Sequence, residues 1–354
     1  PWGTSYSGGL NVGQGYAYYY YTSTLNYQGN INVSNYNLTL SKSATGTNSD
    51  QGWNFIGNPY PCALDWDAVA ADLAPSSDIE GAIYLFNDVD GSGAQANYRY
   101  YIPPDPSTGG TYGVGTSISC QYIPAGQGFF VRTETDGETI DITTSHRVHD
   151  NQGFYKKEDH DNLIRIQLTN DLAEDETIIR LLKTASIEFD SKLDARKIFP
   201  ANNNIPQIYT VTPQQTRISI NSIPEDNENL IIPLGIECIA GEYTFYVSEQ
   251  TLINGKVAYL VDKYENKIIK LTNGTSYTFY FDGGIDENRL EIRMFLNHPP
   301  IVTKPISDKF VNEDENFYFE IDPKTFYDKD EFDNLTYSAK LYNTEEMPSW
   351  LNFD

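Results

Sequence analysis

Aromatic and β-branched residues alternate with polar residues along almost the whole chain, in short runs broken by Gly, Asn, Asp and Pro. The stretch "GYAYYYY" shows this period of two. In an extended chain Tyr16, Tyr18 and Tyr20 fall on one face, and Tyr19 and Tyr21 fall on the other. Short alternating runs bounded by turn residues are typical of β-strands. The sequence therefore predicts an all-β protein.

Changes in composition divide the chain into three β-rich parts. A charged stretch with histidines, "HRVHDNQGFYKKEDHDN", begins at His146, and the prolines of "NHPPIV" mark a second break. Turn signals roughly every ten residues favour β-sandwiches. We predict tandem sandwich modules, Ig-like or jelly-roll-like, with domains at 1–150, 151–297 and 298–354. The first is expected to be truncated at its N-terminus, and the last is expected to be part of a longer domain.

One segment of the first part predicts a helix. In "CALDWDAVAADLA", Leu64, Val69 and Leu73 share an apolar side and Asp65 is a candidate N-cap. Two hairpins are also expected in this part. One is "GAIYLFNDVDGSGAQANYRYYIP", and the other is "YIPAGQGFFVRTETDGETIDIT", closed at Asp136-Gly137.

The tripeptide Gly-Gln-Gly occurs at 13–15 and again at 126–128, each time before aromatic residues. A phosphate-binding glycine loop needs a helix N-terminus after it, and here strand-like segments follow instead. We interpret both segments as turns that lead into strands. Their similarity suggests repeated β-units in the first part of the chain.

The chain is strongly acidic, with 49 acidic and 24 basic residues and a formal net charge of −25. Such a charge repels nucleic acid and anionic membranes. No apolar run reaches the roughly 18 residues that a membrane-spanning helix needs. Nucleic acid and a membrane-spanning role are therefore not expected.

Catalytic motifs do not emerge from the sequence. It contains no Gly-x-Ser-x-Gly elbow, and its four histidines are expected in linkers. Asp65 and Asp67 could in principle serve as the carboxylate pair of a glycoside hydrolase. In a chain this acidic, however, two neighbouring carboxylates are expected by chance. His146 and His149 lack a convergent ligand set for zinc, so we expect a solvated linker there. The prediction is a protein that is not an enzyme.

Acidic residues near the C-terminus are candidate calcium ligands: Glu313, Asp314, Asp328, Asp330 and Asp333. Carboxylates spaced over a loop provide the hard oxygen ligands that calcium prefers. The alternative is an acidic loop without metal, in a chain that is acidic throughout. No other cofactor is predicted.

The tyrosines of "GYAYYYY" are candidates for binding or self-assembly, namely Tyr16, Tyr18, Tyr19, Tyr20 and Tyr21. Exposed rings can stack on sugars or pack on another subunit, whereas the alternative places them in the core or on a solvated strand face.

The cysteines allow one disulfide within the first part of the chain. Cys62 and Cys120 could pair, while Cys238 stands alone in the next part. Sequence cannot show whether the two Cα atoms lie close enough to bridge, so the unpaired alternative stays open.

Three segments, "GWNFIGNPYPCALDWDA", "IPAGQGFFV" and "HRVHDNQGFYKK", resemble the β-rich regions of Bacteroidetes surface and secreted proteins that the type IX secretion system exports. The tail, with "NHPPIVTKPISDKFVNEDENFYFEI" and "MPSWLNFD", resembles a dystroglycan-type cadherin-like repeat. These resemblances imply an extracellular protein, at the cell surface or secreted, whose partners are other copies of itself, neighbouring surface proteins or glycans. They imply a non-catalytic adhesin, stalk or filament-forming structural subunit. The alternative is an accessory, glycan-binding region of a large secreted hydrolase.

Overall fold

The computed structural model describes residues 8–17, 29–46, 51–87, 97–104, 114–115, 121–148, 162–200, 202–330, 332, 335–342, 346–348 and 351–353. Strands dominate these residues, and the predicted all-β class is confirmed. The division into tandem sandwich modules stays a prediction, as do its three domain boundaries. Backbone contacts group the chain into two compact units: Pro1–Ile253 with Ala258–Phe295, and Asn254–Val257 with Leu296–Asp354.

The described residues of the first β region, within 8–148, form three small sheets and one helix. A five-stranded sheet has the order β2-β8-β4-β5-β6, a three-stranded sheet has the order β10-β3-β7, and β1 pairs with β9. A 3₁₀ turn, Thr144–His146, precedes the last strand. The elements are β1 (Tyr36–Thr39), β2 (Trp53–Gly57), β3 (Ala63–Asp65), α1 (Trp66–Ala71), β4 (Ile83–Asn87), β5 (Asn97–Ile102), β6 (Val114–Gly115), β7 (Tyr122–Ile123), β8 (Gly128–Arg132), β9 (Thr139–Ile142) and β10 (Arg147–Val148).

The predicted helix is confirmed as α1. Asp65 is its N-cap, and its side chain accepts a hydrogen bond from the backbone N–H of Asp67. This bond satisfies one of the N–H groups that lack partners at a helix start. Inside the helix, Trp66 is fully buried and donates from its indole Nε1 to the carbonyl of Gly81 at 2.9 Å.

One predicted hairpin is confirmed and the other is wrong. Strands β4 and β5 pair antiparallel, as expected. Strand β8, in contrast, does not pair with β9. It pairs with β2 along one edge and with β4 along the other, while β9 pairs with β1. Because both edges of β8 are occupied, the chain that turns at Asp136-Gly137 joins a different sheet.

The second β region forms one curled sheet of eleven strands. Its order is β19-β18-β21-β16-β14-β15-β12-β11-β17-β20, with β13 pairing on β15. Strands β12 and β15 are parallel, and the other pairs with a recorded register are antiparallel. The strands are β11 (Leu163–Thr169), β12 (Glu174–Leu182), β13 (Ala195–Arg196), β14 (Gln207–Val211), β15 (Arg217–Pro224), β16 (Asn229–Cys238), β17 (Gly241–Gln250), β18 (Lys256–Asp262), β19 (Lys267–Lys270), β20 (Ser276–Phe281) and β21 (Gly284–Leu296).

Side chains from opposite ends of this sheet meet in its interior. Tyr277 of β20 donates to the carboxylate of Asp262 in β18 at 2.9 Å, and Arg289 of β21 donates to the same carboxylate at 2.8 Å. Arg289 also donates to the carbonyl of Tyr280 at 2.7 Å. The guanidinium lowers the pKa of Asp262, although burial acts in the opposite direction. These bonds hold the curled sheet around its apolar core.

Among the described residues of the second unit, strand β22 (Ile301–Val302) pairs with β23 (Phe326–Tyr327). Much of its apolar surface is exposed, including Phe310 and Tyr318. Nowhere in the described part of the chain is a helix long and apolar enough to cross a membrane.

Candidate functional site

The predicted tyrosine cluster lies largely outside the described residues. Only Tyr16 is described; Tyr18, Tyr19, Tyr20 and Tyr21 are not. Tyr16 is half-buried, and its hydroxyl accepts from the backbone N–H of Asn11 at 2.9 Å and donates to Gln14 at 3.2 Å. A role of these tyrosines in binding or self-assembly stays a prediction.

The predicted disulfide and calcium ligands are placed in part. Cys62 is half-buried, and burial raises the pKa of its thiol, while Cys120 lies outside the described residues. Asp333 also lies outside them, whereas Glu313 and Asp314 are exposed. The disulfide stays a prediction.

The carboxylates of Asp328 and Asp330 already have protein partners. Asp330 accepts from the backbone N–H and the ring Nδ1 of His298, at 2.5 and 2.9 Å. Asp328 accepts from the backbone N–H of Asp330 at 2.9 Å. Calcium at these residues stays a prediction.

His146 does not lie in a solvated linker, which corrects the sequence-based expectation. It is 2 % exposed, its Nδ1 accepts from the N–H of Thr143, and its Nε2 lies 2.9 Å from the carboxylate of Asp72. The ring closes the 3₁₀ turn and contacts the residue that follows α1. A buried structural role explains it, whereas His149 and His160 are outside the described residues.

The two β regions meet along a buried polar contact that we call the inter-region seam. Its first part centres on Glu80, which is fully buried and accepts from Arg132 of the first region and Arg196 of the second. The same two guanidinium groups also donate to Glu134. Burial raises the pKa of Glu134, but the hydrogen bonds and charge of Arg132 outweigh it, so that the pKa is lowered.

A second part of the inter-region seam centres on Asp175, which is 2 % exposed. Its carboxylate accepts from Asn97 of the first region at 2.9 Å, from the N–H of Ile208 at 2.8 Å, and from Lys197. Burial lowers the pKa of Lys197, and the neighbouring Asp175 opposes that shift.

Two buried tyrosines of the first region complete the inter-region seam. The hydroxyl of Tyr84 accepts from the N–H of Arg196 at 3.0 Å. The hydroxyl of Tyr100 accepts from the N–H of Ile198 at 3.1 Å and donates to the carbonyl of the same residue at 2.8 Å. The hydroxyls thus satisfy backbone groups next to β13, as a neighbouring strand would. Apolar side chains surround them in one cluster: Ala82, Tyr84, Tyr100, Ile102, Leu163, Ile178, Ala195 and Ile220.

A cavity of about 430 Å³ opens where β16 ends and where β14 and β21 begin, and we call it the β14–β16 cavity. This volume falls at the small end of ligand sites. Its lining combines amide and carboxylate side chains with apolar groups. The lining residues are Phe199, Pro200, Asn202, Asn203, Ile205, Gln207, Glu237, Cys238, Ile239, Ala240, Asp282, Gly283, Gly284 and Ile285.

Gln207 and Glu237 are direct partners across the antiparallel pair β14–β16, so their side chains share one face of the sheet. Gln207 is 3 % exposed, and its Oε1 is buried without a hydrogen bond to any described residue. Cys238 points to the opposite face, into the core, where burial raises its pKa to about 12. The cavity therefore presents acceptor groups rather than a reactive thiol.

Sequence analysis missed both the inter-region seam and the cavity. The available signal was a polar residue inside a run that predicts a buried strand, as with Gln207 in "QIYTV" and Glu80 in "SDIEGAIYLF". Such residues need partners when they are buried. The identity of those partners depends on long-range pairing that local patterns do not reveal.

One family model matches residues 11–294, and its description is "Domain of unknown function (DUF8693)". The matched range covers nearly all of both β regions. Comparisons with curated proteins and with solved structures give no significant match. Because the match spans most of the chain, the protein belongs to the DUF8693 family.

Proposed function

We propose that this chain is a non-catalytic part of an extracellular Bacteroidetes surface protein, exported by the type IX system and acting as an adhesin, stalk or filament-forming subunit. The inter-region seam is the observation that carries the proposal. Its buried ion pairs and tyrosine hydrogen bonds join the two β regions through groups from both. A segment that projects from a surface or bears load needs such a joint, because a flexible linker would let the modules swing independently.

The charge of the chain supports the same role. A net charge of −25 keeps a protein soluble and disfavours association with anionic surfaces. Calcium bound by the acidic residues of the second unit would then make that unit more rigid and would have no catalytic role.

The test is light scattering with electron microscopy on the purified chain, with calcium and with chelator. Ordered oligomers or fibres would support a filament-forming subunit. A monodisperse monomer in both conditions would exclude self-assembly by this chain and leave the adhesin and stalk forms. Antibody labelling of intact cells tests the location, and a signal found only after lysis would contradict the whole proposal.

The tyrosine run offers a specific variant for the assembly experiment. Replacing Tyr16 and Tyr18–Tyr21 by Ser removes the rings while it keeps hydroxyl groups at these positions. Loss of oligomers in this variant would assign assembly to the run. The matched control replaces Tyr264, which is 73 % exposed in a turn of the second region.

A second candidate function is an accessory, glycan-binding region of a secreted hydrolase. The β14–β16 cavity is the described feature that this function would use, since amide and carboxylate groups lie there beside the ring of Phe199. Sugars bind to such combinations of hydrogen-bonding groups and an aromatic face. A glycan array with the purified chain tests this function, and the absence of binding to any glycan on it would reject it.

A further inference from the structure

The β14–β16 cavity holds two acceptor groups that face each other without a donor from the protein. Gln207 and Glu237 are cross-strand partners, with Cβ atoms expected roughly 5 Å apart. The amide Nε2 of Gln207 could have donated to the Glu237 carboxylate. Instead it donates to the backbone carbonyl of Pro206 at 2.9 Å and to that of Ile205 at 3.4 Å. The free hydrogen-bonding capacity at this position therefore lies in oxygen atoms.

The carboxylate of Glu237 is half-buried and unpaired. No hydrogen bond or salt bridge joins it to another residue that the structure describes. A partly desolvated carboxylate without a hydrogen-bonded counter-ion is unfavourable, and so is a buried amide oxygen without a donor. A single ligand group with N–H donors and a positive charge would compensate the carboxylate of Glu237 and would also donate to the amide oxygen of Gln207.

The cations near the cavity are already used by other carboxylates. Lys197 forms its salt bridge with Asp175, and the charge of Glu237 acts on the pKa of Lys197 in the same direction as Asp175 but more weakly. Arg217 donates to Glu287 at 2.7 Å and lies 5.3 Å from the ring centre of Phe199. None of the described lining residues is Lys, Arg or His, whereas Asp282 adds a second carboxylate at the rim. The electrostatic potential of the cavity is therefore negative, within a chain of net charge −25.

We propose that the β14–β16 cavity binds a primary ammonium group, with Glu237 as its counter-ion and the Gln207 Oε1 as a hydrogen-bond acceptor. Three N–H donors on one small cation match the carboxylate and amide oxygens. The apolar lining residues, among them Ile205, Ile239 and Ile285, suit the methylene chain that carries the amine. A lysine side chain and a small free amine share this chemistry, and the volume admits either.

Other ligand classes fit the same residues less well. An anion would be repelled by Glu237 and Asp282. The described residues contain no group of three His, Cys, Asp or Glu side chains placed to hold a metal ion. A neutral sugar could donate to Gln207 but would leave the charge of Glu237 uncompensated. The inference concerns the cavity alone and holds whether or not the chain assembles into filaments.

Isothermal titration calorimetry of the full chain tests the proposal with Nα-acetyl-lysine amide as the probe. The same molecule acetylated on its ε-amine serves as the neutral probe, and glucose and calcium chloride are titrated separately. Glu237→Gln removes the charge at nearly constant volume. Glu228→Gln is the matched control, because Glu228 is exposed just before the other end of β16. Circular dichroism confirms that each variant is folded.

The expected result is binding of the lysine probe with Kd near 1 mM or tighter, weakened at least tenfold by Glu237→Gln and unchanged by Glu228→Gln. The ε-acetylated probe should not bind. Equal binding of both lysine probes, binding of glucose instead, or displacement of the probe by micromolar calcium would overturn the proposal. The absence of any heat with the lysine probe up to about 10 mM would do the same.

Discussion

Gly15 and Gly128 lie along opposite edges of strand β2 and contact the same ring, that of Phe55. Gly15 donates its N–H to the carbonyl of Phe55 at 3.0 Å, and Gly128 pairs with Gly57 two residues further along β2. A Cβ atom on either glycine would fall 2.5 Å from the ring. The last glycine of each Gly-Gln-Gly segment therefore makes room for one aromatic side chain.

Replacing Gly128 by Ala is expected to lower the free energy of unfolding by about 1–3 kcal/mol, because the ring of Phe55 must move. Thermal or urea denaturation measures the change. In a Phe55→Leu background the same replacement should have a smaller effect, since the two sites are in contact. Gly29→Ala is the control, as a Cβ there meets nothing within 4 Å. Equal effects of Gly128→Ala in both backgrounds would show that the ring contact is unimportant.

The turn interpretation of these segments is confirmed for their first glycines. Gly13 and Gly126 have φ angles of 78° and 74°, which most other residues avoid. The role of the third glycine was not predictable, because it depends on Phe55, which lies some forty residues from one segment and seventy from the other. Local sequence thus indicated where the chain turns but not which side chain the turn must avoid.

The same distinction applies to the rest of the fold. Alternation predicted the strands of the second β region well, as in β20, where Tyr277, Phe279 and Phe281 point inward. Strand pairing was harder: the Asp136-Gly137 turn suggested a hairpin, yet β8 already had two neighbours. Burial of Tyr84 and Tyr100 against a distant backbone follows only from the three-dimensional arrangement. Long-range pairing and buried polar contacts are what local patterns leave undetermined.

Removing the charge at the centre of the inter-region seam should be strongly destabilising. After Glu80→Gln, Glu134 is the carboxylate that Arg132 and Arg196 still share among the residues that the structure describes. Loss of one partner from a buried ion pair costs about 3–5 kcal/mol. Denaturant titration measures this difference.

The matched control for this variant is Glu134→Gln. The Glu134 side chain is 38 % exposed, so water screens its ion pairs and the change should stay near 1 kcal/mol or below. Equal destabilisation by the two variants would show that the ion pairs of Glu80 contribute no more to stability than the partly exposed ion pairs of Glu134.

Cys238 should be unreactive in the native protein. Its thiol lies in the apolar core and has a pKa raised by burial to about 12, so almost no thiolate exists at pH 8. Labelling with a thiol reagent should therefore detect Cys238 only after denaturation. Fast labelling in native buffer would contradict the core position.

The same labelling experiment shows whether Cys62 and Cys120 form a disulfide. Denatured without reductant, the chain should expose a single thiol if Cys62 and Cys120 are paired, and all three if they are not. Reduction before denaturation provides the reference for complete labelling.

Asp194 should make the protein less stable as the pH rises toward neutrality. It is fully buried, and burial raises its pKa to about 7, although N–H groups of Asp190 and Ser222 and the charge of Arg180 act in the opposite direction. In the unfolded chain the carboxyl has lost its proton above about pH 5. Between that pH and 7 the folded state holds a proton that the unfolded state has released. Stability therefore falls with rising pH, by about 2 kcal/mol between pH 5.5 and 7.5.

The variant Asp194→Asn cannot ionise and should flatten this part of the stability curve. Its amide oxygen keeps one acceptor for the two N–H groups at 2.7 Å, so some stability is lost at every pH while the slope disappears. Asp226→Asn, at an exposed turn, is the control and should keep the slope of the parent protein. Denaturant midpoints measured from pH 5.5 to 7.5 give the comparison between the three proteins. An unchanged slope in Asp194→Asn would assign the pH dependence to another group.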